Sequence, residues 1–503
     1  MKKYAQYREQ NRTFPPRSSG FLSAAVLSLA VLYSAEPAVA QTSSSNKSCD
    51  QIITTRDVNR CLVSIRTDTA IPTLDPTHLY NLAELIDVAE SASPEGRIAW
   101  SSAKRSLEKA GMDRARYLPL LTFIAQGSDV RAIVPFPKPL APRGYVTIEQ
   151  PIAQAQLALE YKLLDFSRNA RIDDSAALAL ASTLQLGRTH QTIAYKTAAQ
   201  FYRAQQAAGQ LQAAQAILQT AETLLQSAQS QFDNGRATLP DVQNAQAGAA
   251  EAHFDLASAE GEVKKTKLAL SETIGVEPTA NFQIIPQDQS APPEALNSSV
   301  EELIHVAWKS RPDLMARAQE LRHTQAASRT AHAAYLPSVG LIATGGQTAT
   351  WPTADYGQLG YANVTTWSAQ ASLRWEVFNG ARRHEVAAAR AEQHAALEEQ
   401  RATQDAVTRQ VWDAYVDYQT AVEQESASRS FFTAAQTSYD SSLDAYGYGV
   451  RSLVDVVQAE RQLAQARLAT VRSRAQLLQS AAGLSYAMGD LVQGQANTTG
   501  VHP

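Results

Sequence analysis

The residues able to do covalent or metal chemistry are few and scattered in this chain. Its nine histidines and four methionines form no cluster, and HExxH, Cys–His and Gly-x-Ser-x-Gly patterns are missing, as is a phosphate-cradling glycine loop. An enzyme reading therefore has no constellation to stand on, and neither a resident metal nor a cofactor is expected. The neighbouring carboxylates Asp173 and Asp174 read as a solvated helix face rather than an acid–base couple. Cys49 and Cys61 are the only cysteines. In an oxidising compartment such a close pair forms a disulfide. The alternative, a metal or redox site, lacks a nearby histidine or a Cys-x-x-Cys spacing. What remains is a pair of aspartates, Asp241 and Asp455, each placed just after a glycine-containing turn. One use of such a residue is to cap the helix that follows.

The 503 residues, 44% hydrophobic with 7% aromatics and a net charge of −4, suffice for a large core and favour long helices. No basic tract points to nucleic acid. The start of the chain has the pattern of a signal peptide over residues 1–40. Lys2, Lys3, Arg8, Arg12 and Arg17 precede an apolar Phe21–Leu32, and Ala38-Val39-Ala40 forms a cleavage site. The alternative, an uncleaved anchor, needs a longer apolar run. Asn46-Lys47-Ser48 ahead of Cys49 is unlike the apolar stretch that precedes a lipid-anchored cysteine. After Gln41 no apolar run approaches the length of a transmembrane helix, so any membrane entry must be as a closed β-barrel.

The chain is one unit written twice. Leu85-Ile86 recurs as Leu303-Ile304, an offset of 303 − 85 = 218, and Tyr117-Leu118-Pro119 recurs as Tyr335-Leu336-Pro337. From Tyr161, which meets Trp375, the offset is 375 − 161 = 214. It holds for Gly235 with Gly449, Leu239 with Leu453, Asp241 with Asp455 and Gly275 with Gly489. The reading is a first repeat over 41–274, a proline-rich linker over 275–299, a second repeat over 300–489 and a tail over 490–503.

Each repeat predicts the same elements. A first helix covers about Leu79–Arg116 and Val300–Ala334, stopped by the proline of Tyr-Leu-Pro. Two strands follow, Leu120–Ala125 with Tyr145–Ile152, and Val339–Thr344 with Ser368–Val377. A long helix over Ser167–Phe232 or Ala381–Tyr446 then turns into a last one over Pro240–Thr273 or Val454–Ala487. The long helices carry the 3.5-residue period of coiled coils. One seam runs Leu211, Ala214, Leu218, Ala221, Leu225, Ala228, Phe232, and another runs from Val457 through Arg461, Ala464 and Leu468 to Ala482. At about 1.5 Å per residue the long helix reaches on the order of 100 Å, more than a globular bundle uses. Four strands cannot close a barrel, so several chains must pool them. Two chains would give eight strands and a filled interior, and three would give twelve with room for a lumen. Phe123, Phe136, Tyr145, Tyr361, Trp367 and Trp375 fit membrane-interface anchors, the alternative being the core of a soluble sheet.

The two turns, Phe232-Asp-Asn-Gly235 through Leu239-Pro-Asp241 and Tyr446-Gly-Tyr-Gly449 through Leu453-Val-Asp455, resemble the periplasmic hairpins of the TolC-type outer-membrane efflux and secretion channels. Arg311-Pro312-Asp313-Leu314 and the paired Tyr-Leu-Pro are typical of the same family, and the resemblance spans about residues 77–489. It implies a mainly α fold with a small β part. As a homotrimer, the chain would form a 12-stranded outer-membrane barrel continued by a periplasmic helical barrel. The implied function is a gated exit duct in an efflux or type I secretion system. Its partners would be a periplasmic adaptor, an inner-membrane pump of RND or ABC type, and outer-membrane lipid. The rival reading is a periplasmic coiled-coil adaptor or scaffold, which normally carries one helical hairpin rather than two.

Residue roles follow from the resemblance. Asp455 aligns with an aspartate that rings the periplasmic mouth, while a second family aspartate falls on Gln458. Asp241 would accept latch bonds from Tyr446 and Arg451, and a family threonine beside it is Pro240 here. Gly235, Arg236, Ala237, Thr238, Leu239, Gly449, Val450, Ser452 and Leu453 would form the tips that face the adaptor. The competing reading of Asp455, and of its twin Asp241, is a helix cap.

Overall fold

The computed structural model describes residues 74–138, 141–287, 298–355 and 357–490. The expected signal peptide, Cys49 and Cys61, residues 288–297 of the linker and the tail from 491 lie outside the described residues. A short strand β1 (Leu79–Tyr80) leads into α1 (Leu82–Ala92) and α2 (Pro94–Arg114), followed by β2 (Leu120–Pro135), β3 (Tyr145–Leu164), α3 (Arg168–Asp233) and α4 (Leu239–Ile274). After β4 (Gln283–Ile284) the same order returns as α5 (Val300–Ser310), α6 (Pro312–Ala333), β5 (Ser338–Thr350), a small hairpin β6 (Thr353–Ala354) and β7 (Gly357–Gln358), β8 (Ala362–Arg374), α7 (Arg382–Gly447) and α8 (Leu453–Met488). The two copies match in length: α3 and α7 have 66 residues each, and α4 and α8 have 36 each.

The expected first helix is in fact two in each repeat. Ser93 and Arg311 sit in extended backbone, and Pro94 and Pro312 open the second helix of each pair. Proline disfavours helix at the residue before it yet suits the first helical turn, so the break falls there. Ser93 caps α2 by accepting the Gly96 N–H at 3.3 Å. The strands also extend beyond the expected stretches, although β8 begins earlier than expected and ends at Arg374, short of Val377. Glutamines and alanines interrupt the apolar alternation of β3, which hides its length from a pattern search.

The sheet runs β2-β3-β5-β8, antiparallel throughout, with β6 beside the start of β3. The outer edges of β2 and β8 have no neighbour among the described residues of the chain. Along β3, Gln154, Gln156 and Ala158 are more covered than Ala153, Ala155 and Leu157. That alternation is what a curled sheet gives, because side chains on the concave face crowd one another. The helix-proximal part of the convex face is apolar: Leu121 and Phe123 on β2, Leu157 and Leu159 on β3, Leu341 on β5, Trp367 and Leu373 on β8, aligned by the strand register. Trp367 is 80% exposed, and the other five candidate anchor aromatics are exposed in the single chain or, for Tyr145, just over a third so. A soluble sheet would have buried them. No helix among the described residues is long and apolar enough to cross a membrane.

The helices pack as two antiparallel hairpins, α3–α4 and α7–α8, with α2 and α6 alongside. In α3 the expected seam is present: Ala214, Ala221 and Ala228 are buried at heptad spacing. In the first half of α8 the buried seam runs instead through Leu453, Val456, Leu463 and Ala466, while further along Ala475 and Leu478 of the expected seam are buried beside Leu477 and Leu484. The expected Val457–Ala464–Leu468 stripe is only half-buried at best. A helix in a cylinder wall touches a neighbour on each flank, so both stripes are apolar, and the single chain covers one of them.

Asp173 and Asp174 are not a bare solvated face. Asp173 pairs with Arg329 at 3.0 Å and Asp174 with the His323 ring, which ties α3 to α6. The bond from Asp174 holds the His323 pKa above its ordinary value of 6.5 despite partial burial. A base raised in the folded state stabilises it fully below its unfolded pKa, and the contribution is lost as pH rises through the folded pKa. His323→Gln should therefore lower the thermal unfolding temperature at about pH 6 and make little difference at about pH 9. Equal effects at both pH values would count against the charged pair.

Candidate functional site: the hairpin tips and the clamp behind them

Both tips are built by the same local chemistry. At the end of α3, Gly235 takes φ +71° and donates its N–H to Phe232 O at 2.8 Å, while Arg236 N–H reaches Gln231 O at 2.8 Å. At the end of α7, Gly449 takes φ +74° and donates to Tyr446 O at 2.9 Å, and Val450 N–H reaches Ala445 O at 2.9 Å. These are glycine-terminated helix ends, in which a left-handed residue lets the chain satisfy carbonyls left over by the helix. Open space surrounds both glycines, so φ alone requires them. Arg236, Ala237, Thr238, Leu239, Val450, Ser452 and Leu453 lie in or next to these turns. Val450 and Leu239 are exposed, whereas Leu453 is buried in the α7–α8 seam.

Asp241 and Asp455 cap the returning helices. Asp241 accepts from Thr238 N–H at 2.9 Å and from its hydroxyl at 2.7 Å. Asp455 accepts from Ser452 N–H at 3.1 Å and hydroxyl at 2.8 Å, and Asp455 N–H donates to Ser452 Oγ at 3.3 Å. The hydroxyl bond is the main reason that each carboxyl lies below its usual range, so both are ionised at neutral pH. Capping occupies Oδ2 of each aspartate.

Within the single chain neither expected latch donor bonds Asp241. Arg451 Nη1 donates to Ser442 Oγ at 3.3 Å. The Tyr446 hydroxyl is buried without a hydrogen-bond partner, and burial, with the nearby Asp241 charge adding to it, pushes its pKa up. Tyr446 and Asp241 are thus neighbours, while the single chain makes no bond between them. Pro240 sits at the start of α4, where its missing N–H costs nothing. No group of three or more His, Cys, Asp or Glu among the described residues could hold a metal ion.

At the opposite end of α8 lies a clamp that the sequence reading missed in part. Arg311 is 2% exposed. It pairs with Asp313 at 2.6 Å and donates to Gln410 Oε1 at 2.8 Å and to Ala487 O at 3.1 Å. Arg188 donates to Tyr486 O at 3.1 Å, lies over the Tyr486 ring at 3.8 Å and approaches Asp313 at 3.7 Å. Gln191 donates to Gly489 O at 2.7 Å and the Ser310 hydroxyl to Met488 O at 2.6 Å. Side chains from α3, α5 and Arg311 at the α5–α6 junction thus satisfy four consecutive carbonyls at the end of α8, and two cations face its negative pole. Burial lowers the Arg188 pKa, and the Arg311 charge lowers it further. Burial would raise Asp313, but the bonds and charges of Arg311 and Arg188 hold it below the usual range. Arg311 was visible as part of Arg311-Pro312-Asp313-Leu314. Arg188 and Gln191 stand in no recognisable motif, and only their polarity on an otherwise buried helix face could have marked them.

A curled sheet whose convex face is apolar in its helix-proximal part, continued by two long helical hairpins of matched length, defines an outer-membrane channel subunit. The chain belongs to the outer membrane efflux protein family, whose model matches residues 85–276 and 303–490. Among curated relatives, Protein CyaE of Bordetella pertussis is 27% identical over 416 residues, which is 82% of this chain and 84% of that protein. The cation efflux system protein CusC of Escherichia coli is 25% identical over 279 residues, 54% of this chain and 59% of CusC. Among solved structures, the open state of the Neisseria gonorrhoeae MtrE outer membrane channel superposes with a TM-score of 0.69 at 19% identity. That superposition covers 82% of this chain and 89% of MtrE. The shared fold is the channel fold expected from the duplicated hairpins.

Proposed function

We propose that this chain is one protomer of a passive, gated exit duct in a tripartite efflux or type I secretion system. Three copies pool four strands each into a 12-stranded barrel, and their hairpins continue it as a helical tunnel. A periplasmic adaptor meets the turns around Gly235–Leu239 and Gly449–Leu453, and an inner-membrane pump of RND or ABC type supplies energy and cargo. The observation that carries this reading is the sheet: the helix-proximal part of its convex face is apolar and both long edges are unpaired. In hydrocarbon such edges survive only when other strands cover them. No observation favours the adaptor reading, which has no use for a 20-residue strand with an apolar outer side.

At the mouth, Asp455 faces the axis and sets ion preference. Asp241 has a free oxygen, Oδ1, to take the latch bonds from Arg451 and Tyr446 in the closed assembly. The unpartnered Tyr446 hydroxyl beside Asp241 supports that assignment. Fractionation and unboiled gel migration test the whole reading, with a heat-resistant oligomer in the outer membrane as the expected result. A monomer recovered from the soluble periplasm would overturn it.

A further inference from the structure

The concave face of the sheet has a composition that the duct reading alone does not require. In the register, Gln126 on β2 stands opposite Gln154 on β3, and Gln154 is two residues from Gln156 on the same face. Their amides are chained: Gln126 Nε2 donates to Gln154 Oε1 at 2.9 Å, and Gln154 Nε2 to Gln156 Oε1 at 2.9 Å. Across on β5 the row continues opposite Gly346, where an added Cβ would come within 2.6 Å of Gln156 Cβ, so only glycine fits. On β8 the same face carries Thr366 and Ser368, and Ser368 bonds Thr344 of β5 at 2.8 Å.

Charge is absent from this wall at mid-height. The strand register places Glu160, Lys162 and Arg374 at the helix-proximal end of the concave face. Asp129, Arg131 and Glu149 fall on the convex face near the β2–β3 loop, where Arg131 pairs with Glu149 at 3.5 Å. Between these two levels the concave face offers amides, hydroxyls and uncharged aliphatic groups, Ile124, Ile152 and Ile342 among them. A ring of like charges in a narrow passage with low-dielectric walls focuses field and sorts ions by sign. Amides carry both a donor and an acceptor and have no net charge to do so.

We propose that Gln126, Gln154 and Gln156 line the lumen of the assembled barrel as an uncharged hydrogen-bonding belt. At this level the barrel passes solutes of either sign, and selection by charge is left to the helical part of the duct. The inference rests on the channel reading above. The belt's mutual bonds hold the amides against the wall, so they present a fixed polar surface rather than a plug.

The test uses assembled protein in outer membranes, with Cys49→Ser and Cys61→Ser as background. Gln154→Cys should react with membrane-impermeant methanethiosulfonate reagents, and cationic and anionic reagents should react at rates within about threefold of each other. Leu157→Cys, on the convex face, should stay unreacted. In planar bilayers, Gln154→Glu should shift the reversal potential towards cation preference and Gln154→Lys towards anion preference. An unreactive Gln154→Cys, or a rate preference above about tenfold for one sign of reagent, would overturn the belt. So would unchanged reversal potentials in both charged variants. The channel reading fails separately, if the unsubstituted protein forms no conducting oligomer.

Discussion

Arg311→Ala should lower stability by about 3–5 kcal/mol, the cost of removing one partner from a buried ion pair. The loss exceeds that of one ion pair. Asp313 keeps its charge in a half-closed site with only the more distant Arg188, and the Ala487 carbonyl and the Gln410 amide oxygen lose their donor. Arg311→Lys should recover little, since one ammonium cannot reproduce the forked bonds to both oxygens of Asp313 while also reaching α7 and α8. Thermal unfolding in detergent, with heat resistance of the oligomer on unboiled gels, measures the effect. A variant that unfolds within a degree or two of the unsubstituted protein would show that the clamp is dispensable.

The second large effect concerns the mouth. Arg451→Ser combined with Tyr446→Phe should raise single-channel conductance severalfold, because it removes both donors of the proposed latch. Asp455→Ala should instead weaken cation preference and block by multivalent cations. Its loss also frays the start of α8, so Asp455→Asn serves as the control: it removes the charge and keeps an acceptor for the Ser452 N–H and hydroxyl. If Asp455→Asn reproduces the loss of cation preference, the charge is responsible. If neither variant alters ion preference, Asp455 is a cap alone. Unchanged conductance in the double variant would remove the latch.

Most of the architecture was legible because the chain states it twice. A constant offset of 214 from Tyr161 to Gly275 forces α3 with α4 and α7 with α8 to equal lengths, and the structure has them. The breaks at Ser93 and Arg311 were less visible, because the apolar pattern runs on through them while the prolines change the backbone. Strand ends were hidden for a different reason. The concave face of β3 is built from Gln154, Gln156 and Ala158, which do not announce a strand as Val or Ile would. At the candidate site the capping role of Asp241 and Asp455 was readable from their place after each turn. The bond of Arg451 to Ser442 was not, since it depends on which way a long side chain folds back along α7. Arg188 contributes to the clamp from 123 residues away in sequence (311 − 188 = 123), a distance over which no local pattern informs.

The two bare edges of the sheet also decide when the protein can leave water. β2 offers a 16-residue row of backbone groups and β8 one of 13, and a lone protomer carries both unsatisfied. Hydrocarbon penalises each such group. In the proposed assembly a single subunit is thereby barred from the bilayer by its own backbone, and entry would be evidence that the ring is complete. Membrane insertion would then act as an inspection step in which stoichiometry is checked by solvation. A subunit with a spoiled β8 edge would do more harm than a missing one, since it would occupy a place in a ring that can no longer close.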